Sequence, residues 1–187
     1  IALGYRVGLV STVENRINDE VLKAKLTTPD IVSLNKILQE MSNRACDFVF
    51  MEASSHAIDQ DRIAGLNFKG AVFTNITHDH LDYHKTFKAY IKAKKKFFDV
   101  LNKSAFAIVN MDDRNGRVMV QNTKAKIKTY SLYKLADYKA RILDNRIVGL
   151  LLDINGKEVH LNLAGKFNAY NALAVLGVAM ELGEDEM

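Results

Sequence analysis

Hydrophobic and polar residues alternate along the chain in two rhythms. Short apolar runs that stop at polar residues read as strands, and stretches with apolar residues at helical spacing read as helices. The pattern predicts a helix tail over residues 1–5, a strand over 6–13 and a hairpin over 14–25 that turns at Asn18-Asp19. Thr27-Thr28-Pro29-Asp30 breaks the chain before a helix over 31–45, with Ile31, Leu34, Ile37, Leu38 and Met41 on its apolar face. Buried strands follow at 47–51 and 71–74. After a helix beginning near Phe87, a strand over 105–109, a helix over 114–121 and a strand over 126–130 continue the alternation. Past Tyr138, strands at 140–143, 147–154 and 158–163, joined at Asp144-Asn145 and Asn155-Gly156, read as an antiparallel ribbon. Gly165-Lys166-Phe167-Asn168 then leads into an apolar helix over 169–182.

Strand and helix in alternation, with apolar strands, imply an α/β fold. Its sheet is expected to be mostly parallel and doubly wound, helices covering both faces, with a small antiparallel subregion over 138–163. Ligands of such sheets bind beyond the carboxyl ends of the strands. Successive strand ends here carry Glu52, a cluster of His78, Asp79, His80, Asp82 and His84, and the pair Asn110 and Asp112.

The helix after the His/Asp cluster has an anomaly. At about 100° per residue, Phe87, Tyr90, Ile91, Phe97, Phe98 and Leu101 share one stripe, opposite Lys88, Lys92, Lys95, Lys96 and Asp99. Lys94 falls in the middle of the apolar stripe. Either its stem packs there while the ammonium reaches water, or the amine is buried and its pKa lowered. A neutral amine is a nucleophile, and it can take up carbon dioxide to give a carbamate, an oxygen ligand suited to Mg²⁺. The His/Asp cluster is open in the same way. Its members are metal ligands, or His78 and His84 lie on the surface and Asp82 caps a turn. Glu52 reads equally as a ligand or an ion-pair partner.

Composition narrows the classes. The chain has 187 residues, 48% hydrophobic and 26% charged, with a formal charge of +4. That is ordinary for a soluble domain. The basic run from Lys88 to Lys103 lacks interleaved exposed aromatics and arginines, so it reads as a solvated face and not as a nucleic-acid stripe. A lone cysteine, Cys46, excludes an internal disulfide and fits a reducing compartment. With no apolar run of membrane-spanning length and no signal peptide, the expectation is a cytoplasmic, soluble protein without membrane insertion. The chain holds no G-x-x-x-x-G-K-[ST] phosphate loop. Either nucleotide is not used or its loop lies upstream of Ile1. The missing initiator Met points to a fragment.

Several motifs occur together and in order: Thr27-Thr28-Pro29, Glu52-Ala53-Ser54-Ser55-His56, Thr74-Asn75 with Asp79-His80-Leu81-Asp82-Tyr83-His84, Tyr90-x-x-Ala93-Lys94, Asn110-x-Asp112-Asp113 and Gly165-x-Phe167-Asn168-x-x-Asn171-Ala172. In combination they resemble the central domain of the Mur ligases, and within that family the branch that makes the tripeptide precursor. The resemblance implies a P-loop-NTPase-like fold spanning residues 1–187. It implies an ATP-dependent ligase that adds a diamino acid to UDP-N-acetylmuramoyl-L-alanyl-D-glutamate through an acyl phosphate, in bacterial peptidoglycan synthesis. By the same resemblance, Glu52, His80 and carbamylated Lys94 hold Mg²⁺. Thr27, Thr28, Ser54, Gln60 and Arg62 bind the UDP-sugar dipeptide, and Asn168, Asn171, Asn110 and Asp112 serve the ATP. The family pattern also implies a cytoplasmic monomer, a phosphate loop just before Ile1 and an amino-acid-selecting domain after Met187, so that residues 1–187 alone are inactive. Leu26, His78 and Lys85 depart from the pattern, Lys85 standing where glycine is frequent. Two other classes stay open: a metal-dependent hydrolase built on the His/Asp cluster, and a non-catalytic relic that binds the precursor.

Overall fold

The computed structural model describes residues 3–184, which form ten strands and six helices. Part of the helix tail expected over 1–5 lies outside the described residues, and residues 3–5 are not helical. The chain divides into two units, Ile1–Leu66 and Asn67–Met187, each with its own sheet.

The first unit contains β1 (Val7–Val10), β2 (Glu14–Ile17), β3 (Glu20–Lys23), α1 (Ile31–Asn43), β4 (Phe48–Met51) and α2 (Ser55–Asp59). Its strand order is β3-β2-β1-β4; β1 and β4 run parallel and the other pairs antiparallel. Asn18 turns the predicted hairpin at φ 55°, a left-handed conformation that asparagine tolerates. Asp30 caps α1 by accepting the Val32 and Ser33 N–H groups. The helix buries Leu34 and Met41 and lies close on β1, where a Cβ at Gly8 would come within 2.5 Å of Met41 Sδ. Two expectations are corrected. Ile31 opens α1 and is exposed. The run 47–51 is not buried on both sides: β4 is an edge strand paired with β1 alone, and Val49 and Phe50 are exposed.

The second unit contains β5 (Gly70–Phe73), α3 (Leu81–His84), α4 (Phe87–Asp99), β6 (Phe106–Asn110), α5 (Gly116–Met119), β7 (Lys126–Ser131), β8 (Tyr138–Arg146), β9 (Gly149–Ile154), β10 (Lys157–Leu161) and α6 (Lys166–Leu182). The order is β10-β9-β8-β7-β6-β5. Strands β5 to β8 are parallel and β8 to β10 form the expected antiparallel ribbon. Phe106 and Ile108 of β6 share a core with Ala169 and Leu173 of α6. Side chains alternate across a strand, so Val109, paired with Phe73, faces the other way. There Phe73 meets Phe98 of α4 edge-on at 6.4 Å. Helices therefore cover both faces, and every residue of β6 is buried.

Here too the structure departs from the pattern. β5 is an edge strand with Val72 exposed. The helix expected over 114–121 is the single turn α5, whose first residue receives no side-chain cap from Asn115. The ribbon turns at Ile147-Val148, with Arg146 paired to Gly149, and not at Asp144-Asn145. A bulge between Ile142 and Asp144 absorbs a residue and carries β8 past the polar pair. Gly149 then packs so closely that a Cβ would sit 2.3 Å from the Leu161 carbonyl oxygen. Among the described residues no helix is long and apolar enough to cross a membrane.

Candidate functional site

In the first unit the chemistry gathers where the parallel strands β1 and β4 end. Glu52 follows β4 and Thr12 follows β1. The Thr12 N–H donates to Glu52 Oε2 at 2.8 Å, and the Thr12 hydroxyl donates to the same oxygen. The hydroxyls of Thr12 and Thr27 are hydrogen-bonded at 3.1 Å. Thr28 is 1% exposed. Its hydroxyl donates to the Glu52 carbonyl at 2.7 Å and accepts the Ser54 N–H at 3.1 Å. Ser54 in turn caps α2, its oxygen accepting the Ala57 N–H at 3.1 Å. Arg62 donates to the Thr28 carbonyl at 3.0 Å and to Gln60 Oε1 at 2.9 Å. No carboxylate pairs with this guanidinium among the described residues, so its charge is held by neutral oxygens. Thus Thr27, Thr28, Glu52, Ser54, Gln60 and Arg62, spread over 36 residues of sequence (62 minus 27, plus one), form one hydrogen-bonded group. Thr28 sits inside it as a staple, not at its surface.

In the second unit His80 and Lys94 meet around Tyr90, which is 5% exposed. The Lys94 Nζ lies 5.6 Å from the centre of the Tyr90 ring, one helical turn away. His80 approaches the same ring edge-on at 5.7 Å, and His84 stacks on it at 5.1 Å. Burial pushes the Lys94 ammonium below the ordinary lysine range, since a charged amine loses hydration there. Burial, with the Asp79 charge nearby, raises the Tyr90 phenol. The inward phase of Lys94 is borne out, but Lys95 is also largely covered, its side chain 13% exposed. The two differ in neutralisation. Lys95 pairs with Asp99, whereas no carboxylate pairs with Lys94 among the described residues.

The His/Asp cluster does not converge as a whole. His78 stacks on Phe87 at 4.1 Å. Asp79 accepts the His80 N–H at 2.7 Å. His84, one of the surface alternatives, is buried. Among the described residues no group of three or more His, Cys, Asp or Glu is arranged to hold a metal ion. The segment is strained at both ends: His80 and Lys85 have φ of 55° and 63°, outside the region that L-residues favour. Such outliers persist where surrounding structure enforces them, often at sites of function.

Asn110 and Asp112 serve the architecture at the β6 end. Asn110 donates to the Thr74 carbonyl at 2.9 Å and accepts the Asp112 N–H at 2.9 Å. Asp112 accepts from Ser131 Oγ at 2.7 Å, from the Leu132 N–H at 2.8 Å and from the Tyr170 hydroxyl at 3.0 Å. Burial alone would raise its carboxyl, but these donors outweigh that and hold it below the usual range. Tyr170 ties this hub to α6, where Asn168 and Asn171 sit side by side, the Asn171 amide donating to Asn168 Oδ1 at 3.3 Å. Three participants had no role assigned from the sequence. Thr12 is an uncharged residue past a strand end. Asp113 holds the loop toward His80 by accepting the Ile76 N–H at 3.0 Å. Tyr90 stands both on the apolar stripe and in the motif with Lys94, without a role of its own. Their positions after strands or beside Lys94 were the available signal.

Comparison with known proteins bears on the family and the fold. A family model described as the Mur ligase middle domain matches residues 2–179. The chain is 57% identical over 184 residues to a UDP-N-acetylmuramoyl-L-alanyl-D-glutamate–2,6-diaminopimelate ligase of Cytophaga hutchinsonii, covering 98% of this chain and 38% of that protein. A ligase of the same name from Bacteroides fragilis is 55% identical over 183 residues, with 98% and 38% covered. A solved structure of a UDP-N-acetylmuramoyl-L-alanyl-D-glutamate–2,6-diaminopimelate ligase superposes with a TM-score of 0.86 at 30% identity, covering 98% of this chain and 39% of that one. The chain thus spans 38% of the length of these curated relatives. With nearly all of its residues inside the family match, the chain belongs to the Mur ligase family, as a middle domain.

Proposed function

We propose that this domain works within an ATP-dependent ligase that joins 2,6-diaminopimelate to UDP-N-acetylmuramoyl-L-alanyl-D-glutamate. The observation that carries the reading is 57% identity, along 98% of the chain, to a ligase bearing that name. In the reaction the D-glutamate carboxylate takes the γ-phosphoryl group of ATP, giving an acyl phosphate and ADP. The diamino acid's amine then attacks the acyl carbon, an amide forms, phosphate leaves and the amine proton is released. The proposal places the reaction in the bacterial cytoplasm, in a monomeric enzyme without nucleic-acid or membrane partners.

Glu52, His80 and carbamylated Lys94 are the proposed Mg²⁺ ligands; the Glu52 carboxylate and the carbamate are the oxygen donors that suit a hard cation. Glu52 has one carboxylate oxygen anchored by Thr12 and the other available. Lys94 has a burial-weakened ammonium, so its amine is predisposed to bond to carbon dioxide, losing a proton and gaining a carboxylate. Bound there, Mg²⁺ would neutralise charge on the phosphoryl group in transfer. The chain's own residues do the rest. Arg62, without a carboxylate partner among the described residues, fixes an anionic group of the precursor. Thr27, Ser54 and Gln60 supply hydroxyl and amide contacts, while Thr28 holds Ser54 and Arg62 in place. Asn168 and Asn171 present amides to the adenine, and Asn110 and Asp112 brace the strand end and helix that carry them. A hydrolase based on the His/Asp cluster is disfavoured because those side chains point to different partners.

The test is Lys94→Ala in the protein as encoded by its gene, assayed for ATP-dependent ligation of diaminopimelate with and without a short-chain carboxylate. Loss of about 100-fold or more, partly restored by formate or acetate, is expected. Near-normal activity without rescue would overturn the carbamate reading.

A further inference from the structure

We infer that Thr12 is a positioning residue that couples precursor binding to metal binding, through the hydroxyl chain Thr27–Thr12–Glu52. The inference rests on the proposed roles of Thr27 and Glu52 and assigns a role to a residue that neither the motifs nor the reaction required. Thr12 gives Glu52 Oε2 both its N–H, at 2.8 Å, and its hydroxyl. That leaves Oε1 as the oxygen turned to a cation, in the way ligating carboxylates are oriented by their own hydrogen-bond partners.

The carboxylate also sets the direction of the chain. An ionised carboxylate only accepts, so the single Thr12 hydroxyl proton goes to Glu52. The 3.1 Å contact between the two threonine hydroxyls must then carry the Thr27 proton toward Thr12. Thr27 is left with acceptor capacity alone, so the precursor group it meets is a donor, an N–H or O–H. Such a donor polarises Thr27, then Thr12, and strengthens the hold on Glu52, because consecutive hydrogen bonds reinforce one another. A ligand acceptor at Thr27 would instead draw the proton away and loosen Glu52. The stronger hold fixes the Glu52 carboxylate in the orientation that leaves Oε1 for the cation, so precursor and metal bind with positive coupling, and by linkage each tightens the other by the same factor.

The experiment uses the protein as encoded, with Mn²⁺ as the probe and a non-hydrolysable ATP analogue present. Free Mn²⁺ is counted by electron paramagnetic resonance with and without UDP-N-acetylmuramoyl-L-alanyl-D-glutamate. In the wild type the precursor tightens Mn²⁺ by about 5-fold or more. Thr12→Val keeps the backbone N–H on Glu52 but removes the hydroxyl, and the precursor effect falls to about 1-fold, its complete loss. In turnover the variant needs more Mg²⁺ for half-maximal rate than the wild type does. Thr12→Ser restores the coupling, which separates a lost hydroxyl from damaged folding. Wild-type coupling in Thr12→Val, or none in the wild type, overturns the inference. Glu52→Gln distinguishes the underlying reading: unchanged Mn²⁺ affinity there overturns the metal role of Glu52, and the relay with it.

Discussion

Replacing Thr28 by valine tests whether this threonine contacts substrate or holds the site together. The side chain is 1% exposed, and valine matches its shape while removing the hydroxyl, so the change is one of hydrogen bonding. Two backbone groups lose their partner: the Glu52 carbonyl, bonded at 2.7 Å, and the Ser54 N–H, bonded at 3.1 Å. Leaving a buried polar group unpaired costs about 1–3 kcal/mol. Glu52 is exposed and Ser54 half-buried, so water reaches this region and the lower end applies to each. The added methyl returns about 0.8 kcal/mol. The net expectation is a destabilisation of roughly 1 kcal/mol, read from the urea midpoint at unchanged slope. Thr28→Ser keeps both hydrogen bonds and should recover most of the loss. A Thr28→Val midpoint within about 0.5 kcal/mol of wild type would refute the staple. A direct contact would then better explain any loss of precursor affinity.

Two further outcomes follow from the strained loop and from the end of α6. Lys85 is the centre of a γ-turn closed by the Thr86 N–H on the His84 carbonyl at 2.7 Å, with φ 63° and ψ −37°. Lys85→Gly should relieve roughly 1–3 kcal/mol of strain against about 0.5–1 kcal/mol of glycine entropy, raising the thermal midpoint by about 2–4 °C; a lowered midpoint would contradict the strain. Burial alone would raise the Glu181 carboxyl, but hydrogen bonds from Lys126 and Tyr138, with the charges of Lys126 and Lys128, hold it below its ordinary value of 4.5. The unfolded chain thus binds more protons between the folded value and 4.5, so stability rises with pH through that window. This contribution is complete above the unfolded value and is lost as pH falls through the folded one. Glu181→Gln should therefore lower the urea midpoint at neutral pH and flatten the acid limb. Parallel wild-type and variant curves from acid to neutral pH would count against it.

Much of this protein was legible as pattern. Alternating periods set the order of strands and helices, and the apolar stripe at helical pitch by itself turns Lys94 inward. The motif series from Thr27 to Asn171 carried the family resemblance, because local chemistry at strand ends is written in consecutive residues. Other features depended on contacts that no local pattern records. An apolar run does not say whether a strand has one neighbour or two, so the edge positions of β4 and β5 came only with the sheet order. A bulge moved the β8–β9 turn past the polar pair that signals one. The pairs Lys95–Asp99 and Tyr90–Lys94 are one turn apart on α4 and follow from helical spacing, but the burial that lowers the Lys94 pKa came only with the packed fold. Thr12 lies 40 residues from Glu52, and Asp112 lies 58 from Tyr170. Periodicity reports which face of an element is apolar. Which polar group receives which hydrogen bond is decided where separate elements meet, and there the tertiary structure alone chose the partners.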